Sequence, residues 1–599
     1  MMNSSNAVAT ALFAVPILAL FPGCFSGSGP PAPAASSTSP TSYSQVPIPH
    51  SRRYVDETAI AESETTLRFT VMNDLAGVHH TYQNDSQLKK RRILESVGGG
   101  GGMFDYDCDG LLDLSFAGGG YYGPKKTLHG HPAALFRSLG DWKFVEVSAV
   151  AGGGFPAEHY SHGTQAADFD NDGFLDFVIC GYGGLQLWHN LGDGTFEEIH
   201  EAAALLDKQW STCVGWGDLN EDGCLDLYVA TYADWSLDND PLCPAPVMGE
   251  RETCPPKEFT SLPDTLYFSN GDGTFRDVSR EAGIRIDPVK PDGRPQELGK
   301  GLGVLINDFD LDGDEDIYVA NDTVDNFLYL NQGDGTFVED GVLRGVATDD
   351  VGMPNGSMGV DVGDFNRDGL PDIWVTNYQH EANGLYRNDG SGQFTHVSRP
   401  LGITAVGGLY VGFGTVFADV NRDGFEDIVI ANGHVQFFPT DAPFRQEPLV
   451  QLNDRGERFR RQRLDSDPYF GTGHTGRGLM AGDIDDDGDV DFCFVNNNDP
   501  CGLIRNDSVD DGQWLRVRLI GTASNRSAIG ARLTLHTDQG DMLRMVKGSC
   551  SFVSQCDLRP MWGLPKEAKI TGLSITWPSG IVQDVEAGPN LELTVVEPQ

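Results

Sequence analysis

The chain has 599 residues, 39% hydrophobic and 22% charged, and 87 Asp plus Glu against 42 Lys plus Arg give a formal charge of -45. That surplus excludes nucleic acid and anionic lipid headgroups as main partners and makes cations the natural counterpart. The apolar and aromatic content excludes a disordered acidic tail, and 74 glycines with 32 phenylalanines point to an all-β protein with many tight turns.

Taken in chain order, the first element is the apolar run Ala7 to Phe21. It is too short to span a bilayer and fits a secretory signal over residues 1–24. Phe21-Pro22-Gly23-Cys24 resembles a bacterial lipobox, with Phe where Leu is usual and no Lys or Arg before Arg52. The expectation is a secreted or surface-bound protein, attached to membrane, if at all, through a lipid on Cys24; the alternative is a cleaved signal with an incidental cysteine. Residues 25–59, rich in Ser, Pro and Gly up to His50, read as a tether. Setting Cys24 aside leaves ten of the 11 cysteines, an even number suited to an oxidising compartment. Cys243 with Cys254, Cys493 with Cys501 and Cys550 with Cys556 are local candidates for pairing, against buried free thiols.

From residue 60 to 510 an internal repeat governs the chain. The pattern D-x-[DN]-x-D-G-x-x-D occurs seven times, starting at Asp105, Asp168, Asp218, Asp308, Asp364, Asp419 and Asp483. Each copy is followed by a β-branched and aromatic run such as Ile317-Tyr318-Val319-Ala320, then a second strand signal and, in several copies, a G-D-G-T-F turn; Asp-Gly between such runs marks a hairpin. One repeat therefore supplies the strands of a propeller blade. The last copy stops at Leu503-Ile504-Arg505-Asn506 without its final strand, whereas Phe69-Thr70-Val71 is such a strand without a preceding loop. The phase predicts that the N-terminal strand completes the last blade of a seven-bladed β-propeller, removing exposed edges. The longest interval between loops, Asp218 to Asp308, holds an insertion, Leu237 to Pro263, that is either a partner-binding loop or a disulfide-pinned decoration.

The loops predict metal binding. Hard divalent cations take several oxygen ligands, and carboxylates at alternating positions of a turn aim at one centre. Positions one, three, five and nine are Asp105, Asp107, Asp109 and Asp113 in the first loop, and Asp168, Asp170, Asp172 and Asp176 in the second. The third has Asp218, Asn220, Asp222 and Asp226, and the fourth Asp308, Asp310, Asp312 and Asp316. The fifth has Asp364, Asn366, Asp368 and Asp372, the sixth Asp419, Asn421, Asp423 and Asp427, and the seventh Asp483, Asp485, Asp487 and Asp491. The start resembles an EF-hand, but no Glu stands at position twelve and strands flank each loop, so nine-residue sites are expected. Asn at position three removes a charge and weakens the third, fifth and sixth. Up to seven structural Ca²⁺ ions are expected; an all-protein cage suits Mg²⁺ poorly and no Cys or His spacing suits zinc.

After Gln513 the loops stop and alternating strands follow: Trp514 to Leu519, Ala531 to Leu535, Leu573 to Trp577. Asn525-Arg526, Ile529-Gly530-Ala531-Arg532, Gly548-Ser549, Ser554-Gln555, Trp562-Gly563-Leu564 and Trp577-Pro578-Ser579-Gly580 resemble the ASPIC/UnbV domain, placed at 511–597. The upstream chain is similar to the FG-GAP/VCBS-like repeats that accompany that domain in cartilage acidic proteins and their bacterial relatives. The resemblance implies an extracellular calcium-binding propeller and no known reaction.

Gly471-Thr472-Gly473-His474-Thr475-Gly476 matches a dinucleotide fingerprint without a βαβ context, and no nucleophile elbow, metalloprotease motif or phosphate loop occurs. The leading expectation is a monomeric binding or adhesion scaffold for a protein or glycan. The alternative is an extracellular enzyme acting on a polymer or secondary metabolite from the propeller channel.

Overall fold

The computed structural model describes residues 59–62, 65–285, 299–404, 408–508 and 512–599. The signal, lipobox and most of the tether lie outside them. Among the described residues no helix is long and apolar enough to cross a membrane.

The architecture is all-β. Each loop joins the first two strands of a four-stranded antiparallel sheet. The fourth sheet is typical, with strands Gly301–Asn307, Asp316–Asn321, Phe327–Asn331 and Phe337–Glu339 in sequence order. First strands are buried along their whole length, as in Gly301–Asn307 and Gly476–Gly482, while the short outer strands alternate one buried Phe with exposed residues. Apolar side chains on neighbouring sheets interlock between them: Val304, Ile306, Ile317 and Tyr329 of the fourth pack with Cys213, Tyr228, Leu266 and Phe268 of the third.

The sheet of the seventh loop draws its outer strand from the other end of the chain. Phe69–Val71 pairs antiparallel with Gly502–Asn506, in the register Phe69 to Asn506 and Val71 to Ile504. Phe69 lies against Phe470 and Phe492 there.

The 237–263 insertion leaves the third sheet between its second and third strands. It forms a small ribbon, Cys243–Pro244 with Arg251–Glu252, and a Cys243–Cys254 disulfide with Cα atoms 5.3 Å apart. Cys493 and Cys501, like Cys550 and Cys556, stand as neighbouring thiols.

Beyond residue 512 a four-stranded sheet (Gly540–Met545, Arg532–Thr537, Ile570–Thr576, Val582–Val585) faces a three-stranded one (Met561–Leu564, Gln513–Ile520, Leu591–Val596). Their shared core of Val517, Leu533, Trp562, Ile575 and Trp577 runs on into Trp216 and Leu227 of the third sheet.

Candidate metal loops and the domain that covers them

The seven loops fold alike because their side chains serve the backbone first. Position four has positive φ in all seven, from Cys108 at 59° to Asp486 at 60°, and the Gly at position six does too. Two left-handed residues two apart curl the chain so tightly that glycine's freedom is needed at the second.

Position nine is the anchor. In the fourth loop Asp316 Oδ2 accepts the N–H of Phe309 at 3.0 Å, and Oδ1 accepts that of Asn331, on the third strand, at 2.8 Å. The same pair of bonds recurs in every loop, through Asp113, Asp176, Asp226, Asp372, Asp427 and Asp491. Position one closes the turn. Asp105 Oδ1 accepts from Asp109 N at 3.1 Å and Oδ2 from Gly110 N at 3.0 Å. Position five caps the exit, as where Asp312 Oδ1 accepts from Asp314 N at 3.1 Å.

In the four all-aspartate loops, oxygens of positions one, three and nine converge. Asp105, Asp107 and Asp113 lie within 4.8 Å of one another, as do Asp168, Asp170 and Asp176, then Asp308, Asp310 and Asp316, then Asp483, Asp485 and Asp491. Position five stands outside these triads; Asp109, Asp172, Asp312 and Asp487 are exposed. In the second loop, however, Asp172 groups with Asp170 and with His189, which sequence reasoning did not single out, its Nε2 lying 3.1 Å from Asp170 Oδ2. In the third, fifth and sixth loops the position-three amide turns inward: Asn220, Asn366 and Asn421 Oδ1 accept the N–H of position five at 3.0–3.2 Å.

The residues fit a calcium ion. Asp107, Asp310 and Asp485 each keep a buried Oδ1 without a hydrogen-bond partner among the described residues, and so does Asp168. Leaving such oxygens dry and unpaired is costly, and all are hard donors suited to Ca²⁺. Burial, with neighbouring carboxylates adding to it, pushes Asp113 up to about 8 and Asp176 to about 9. Asp168 and Asp483 rise to about 7, chiefly through burial. Negative charge held there against desolvation is what a divalent ion offsets.

Two arrangements were not foreseen from the sequence. First, the Asn ending the third strand ties its sheet to the preceding loop. Asn388 Nδ2 donates to Phe309 O at 2.8 Å, and Asn190, Asn331, Asn453 and Asn506 do the same to Tyr106, Leu219, Phe365 and Val420. The signal was present, since Asn precedes the turn in five copies, but a turn preference accounts for it equally well.

Second, the C-terminal domain sits on the loops. Arg516 pairs with Asp483 at 2.9 Å, Arg518 with Asp105 at 3.3 Å and Arg532 with Asp308 at 3.4 Å, all at position one. Arg544 meets Glu426 at 3.2 Å and Lys547 meets Asp361 at 2.7 Å. Between these contacts the segment Gly548 to Asp557 enters the space among the first strands. Gly548 O accepts from Trp216 N at 3.3 Å, Ser551 exchanges backbone bonds with Val360, and Gln555 exchanges them with Gly101 and Met103. Phe552 is fully buried, edge-on to Phe413. This segment therefore packs among the first strands, next to the arginine and lysine contacts with the loop sheets.

His80 is held structurally. It stacks on Phe116 and meets Ala117 O at 3.2 Å, and burial lowers it to about 4.

Family comparison agrees with the repeat. A model described as FG-GAP-like repeat matches residues 105–179, 168–229, 308–375 and 364–430, and one described as ASPIC and UnbV matches 521–599. Cartilage acidic protein 1 of Mus musculus is 26% identical over 475 residues, 70% of this chain and 71% of that protein. The Homo sapiens protein is 25% identical over 428 residues, 69% of this chain and 57% of that protein. Among solved structures, an Agrocybe aegerita lectin that recognises non-reducing terminal N-acetylglucosamine aligns over 63% of this chain and 87% of its own, at 16% identity and a TM-score of 0.37. The exotype rhamnogalacturonan lyase YesX aligns over 74% and 78%, at 13% identity and a TM-score of 0.32.

Proposed function

We infer that this chain, which carries FG-GAP-like repeats and an ASPIC/UnbV domain, is a calcium-stabilised binding scaffold whose seven loop-bearing sheets close into one propeller. Two features support the closed ring. The first strands neighbour one another in chain order, with Gly101–Phe104 beside Gly476–Gly482, and Phe69–Val71 supplies the edge that the last sheet lacks.

The observation that carries the metal reading is the convergence of three carboxylates in each of four loops, each loop holding a buried oxygen that no donor among the described residues satisfies. The third, fifth and sixth loops, with Asn at position three, are the weaker sites. Extracellular calcium modules bind with Kd on the order of 10⁻⁴ to 10⁻³ M, and one native-only site at ten times Kd adds about 1.4 kcal/mol. Several such sites act mainly on stability. A disulfide and an acidic surface suit a secreted or cell-surface location, and a rigid platform bearing an insertion suits a protein or glycan ligand.

The test is a thermal melt with elemental analysis. Chelation with EDTA lowers Tm markedly, Ca²⁺ restores it, and the restored protein carries at least the four ions of the all-aspartate loops. An unchanged melt together with calcium-free protein would overturn the reading.

A further inference from the structure

The face opposite the loops holds a cavity of about 210 Å³. Its walls come from strand ends remote from the metal loops. Leu302 and Phe413 lie near the starts of first strands, Met358 precedes one, and Tyr232 and Asp322 follow second strands. The floor is Phe552 of the inserted C-terminal segment, and the 237–263 insertion adds Thr253 to Pro256 to one wall. The insertion is held across the mouth. Arg92 Nε pairs with Asp240 at 2.8 Å, and Glu252 accepts the N–H groups of Phe437 and Phe438 at 3.0 and 2.8 Å.

Within this apolar and aromatic well two carboxyl groups bracket one point. A Cβ placed on Gly356 would lie 3.2 Å from Asp322 Oδ1 and 3.5 Å from Glu381 Oε2. Asp322 Oδ2 accepts from the Tyr232 hydroxyl, and Glu381 Oε2 accepts from Gly356 N at 2.7 Å and Tyr378 N at 3.3 Å. Their other oxygens, Asp322 Oδ1 and Glu381 Oε1, accept no hydrogen bond from the described residues. Lys300 lies within electrostatic reach of Asp322 and Asp234, while Glu252 and Asp349 add further negative charge around Tyr378 and Glu381. Burial, foremost, pushes Asp322 up to about 6 and Glu381 to about 7.

We propose that this cavity binds a small organic cation, an ammonium or guanidinium group carried on an apolar body, entering from the face opposite the metal loops. The charged end lies between Asp322 and Glu381 beside Tyr232 and Tyr378, whose rings also attract cations. The apolar end fills the well formed by Leu302, Met358, Phe413 and Phe552. A few convergent polar groups in a mainly apolar concavity is the usual make-up of a small-molecule site. An inorganic ion would satisfy the free carboxyl oxygens and leave the well empty, whereas a neutral apolar molecule would leave Asp322 Oδ1 and Glu381 Oε1 without a partner among the described residues.

The probe is phenethylammonium, compared with neutral 2-phenylethanol and anionic 3-phenylpropanoate, on the calcium-loaded full chain by ligand-observed NMR and calorimetry. Phenethylammonium binds saturably and at least roughly tenfold more tightly than the alcohol, the worth of one modest charge contact, and the acid does not bind. The D322N/E381Q double variant loses that advantage, and M358W, which fills the well, abolishes binding; unchanged Tm values show that both variants fold. Absence of saturable binding to wild type would overturn the proposal. So would equal affinity for cation and alcohol, affinity unchanged in the variants, or displacement of the probe by Mg²⁺ or added Ca²⁺ at the two carboxyls. Because the protein is calcium-loaded throughout, any of these results leaves the metal reading intact.

Discussion

Glu597 shows how a single side chain can hold a domain edge that the sequence does not advertise. Its Oε2 accepts the N–H groups of Thr522, Ala523 and Ser524 at 2.7–2.9 Å, and Oε1 accepts the hydroxyls of Ser524 and Ser579 at 2.9 and 2.5 Å. Burial alone would raise this carboxyl, but the Ser579 hydroxyl and the three backbone donors outweigh it and hold it down to about 2. A carboxylate depressed from 4.5 stabilises the fold above its unfolded pKa and loses that contribution as pH falls toward the folded value, about 3 kcal/mol in all. E597Q therefore lowers Tm at pH 6 to 7, and the gap from wild type narrows as pH drops from about 4.5 toward 3. A gap independent of pH would assign the loss to packing instead. Ordinary Glu and Ser residues far apart in sequence gave no hint of this. The loop aspartates were legible because they recur at fixed spacing within nine residues.

At the scale of an element, the loop separates into parts with different duties. Asp316 holds two backbone N–H groups, whereas the Oδ1 of Asp310 has no donor among the described residues. D316A therefore lowers Tm both in EDTA and in Ca²⁺, by an amount consistent with about 1 to 3 kcal/mol for two hydrogen bonds to a carboxyl that burial shifts toward its neutral form. D310A lowers Tm mainly in Ca²⁺ and is close to neutral in EDTA, because it removes burial cost and repulsion from Asp312 that attraction to Arg344 offsets only in part. Melts of the two variants under both conditions check this, and equal losses for D310A with and without calcium would contradict it. The sequence placed these residues in one class because position in a turn does not say which oxygens the backbone claims. The position-five aspartates illustrate the same limit. They belong to the same expected ligand set, but in most loops they are exposed and accept the N–H two residues on, while Asp172 stands beside Asp170 and His189.

For the whole molecule the question is what joins the two ends of a long repeat. Phe69–Val71 completes the last sheet, and Thr70, Arg505 and Asp507 add polar contacts along that edge. A chain lacking residues 1–72 exposes the Gly502–Asn506 edge, melts several degrees lower and aggregates more readily, whereas one lacking 1–58 melts like the full chain. Light scattering and thermal melts separate the two, and identical behaviour would show that the N-terminal strand contributes nothing to the stability of the last sheet. By itself the sequence determined the all-β class, the seven loops, their alternating carboxylates and the phase that left one strand missing. Each of these is written in short-range spacing, and spacing survives translation along the chain. Only the tertiary structure decided that Arg516, Arg518 and Arg532 lie on three of the loops, that Gly548 to Asp557 fills the interior, and that Asp322 and Glu381 meet at the far mouth. Those residues are separated by tens to hundreds of positions, and their proximity is set by the packing of whole sheets rather than by any local pattern.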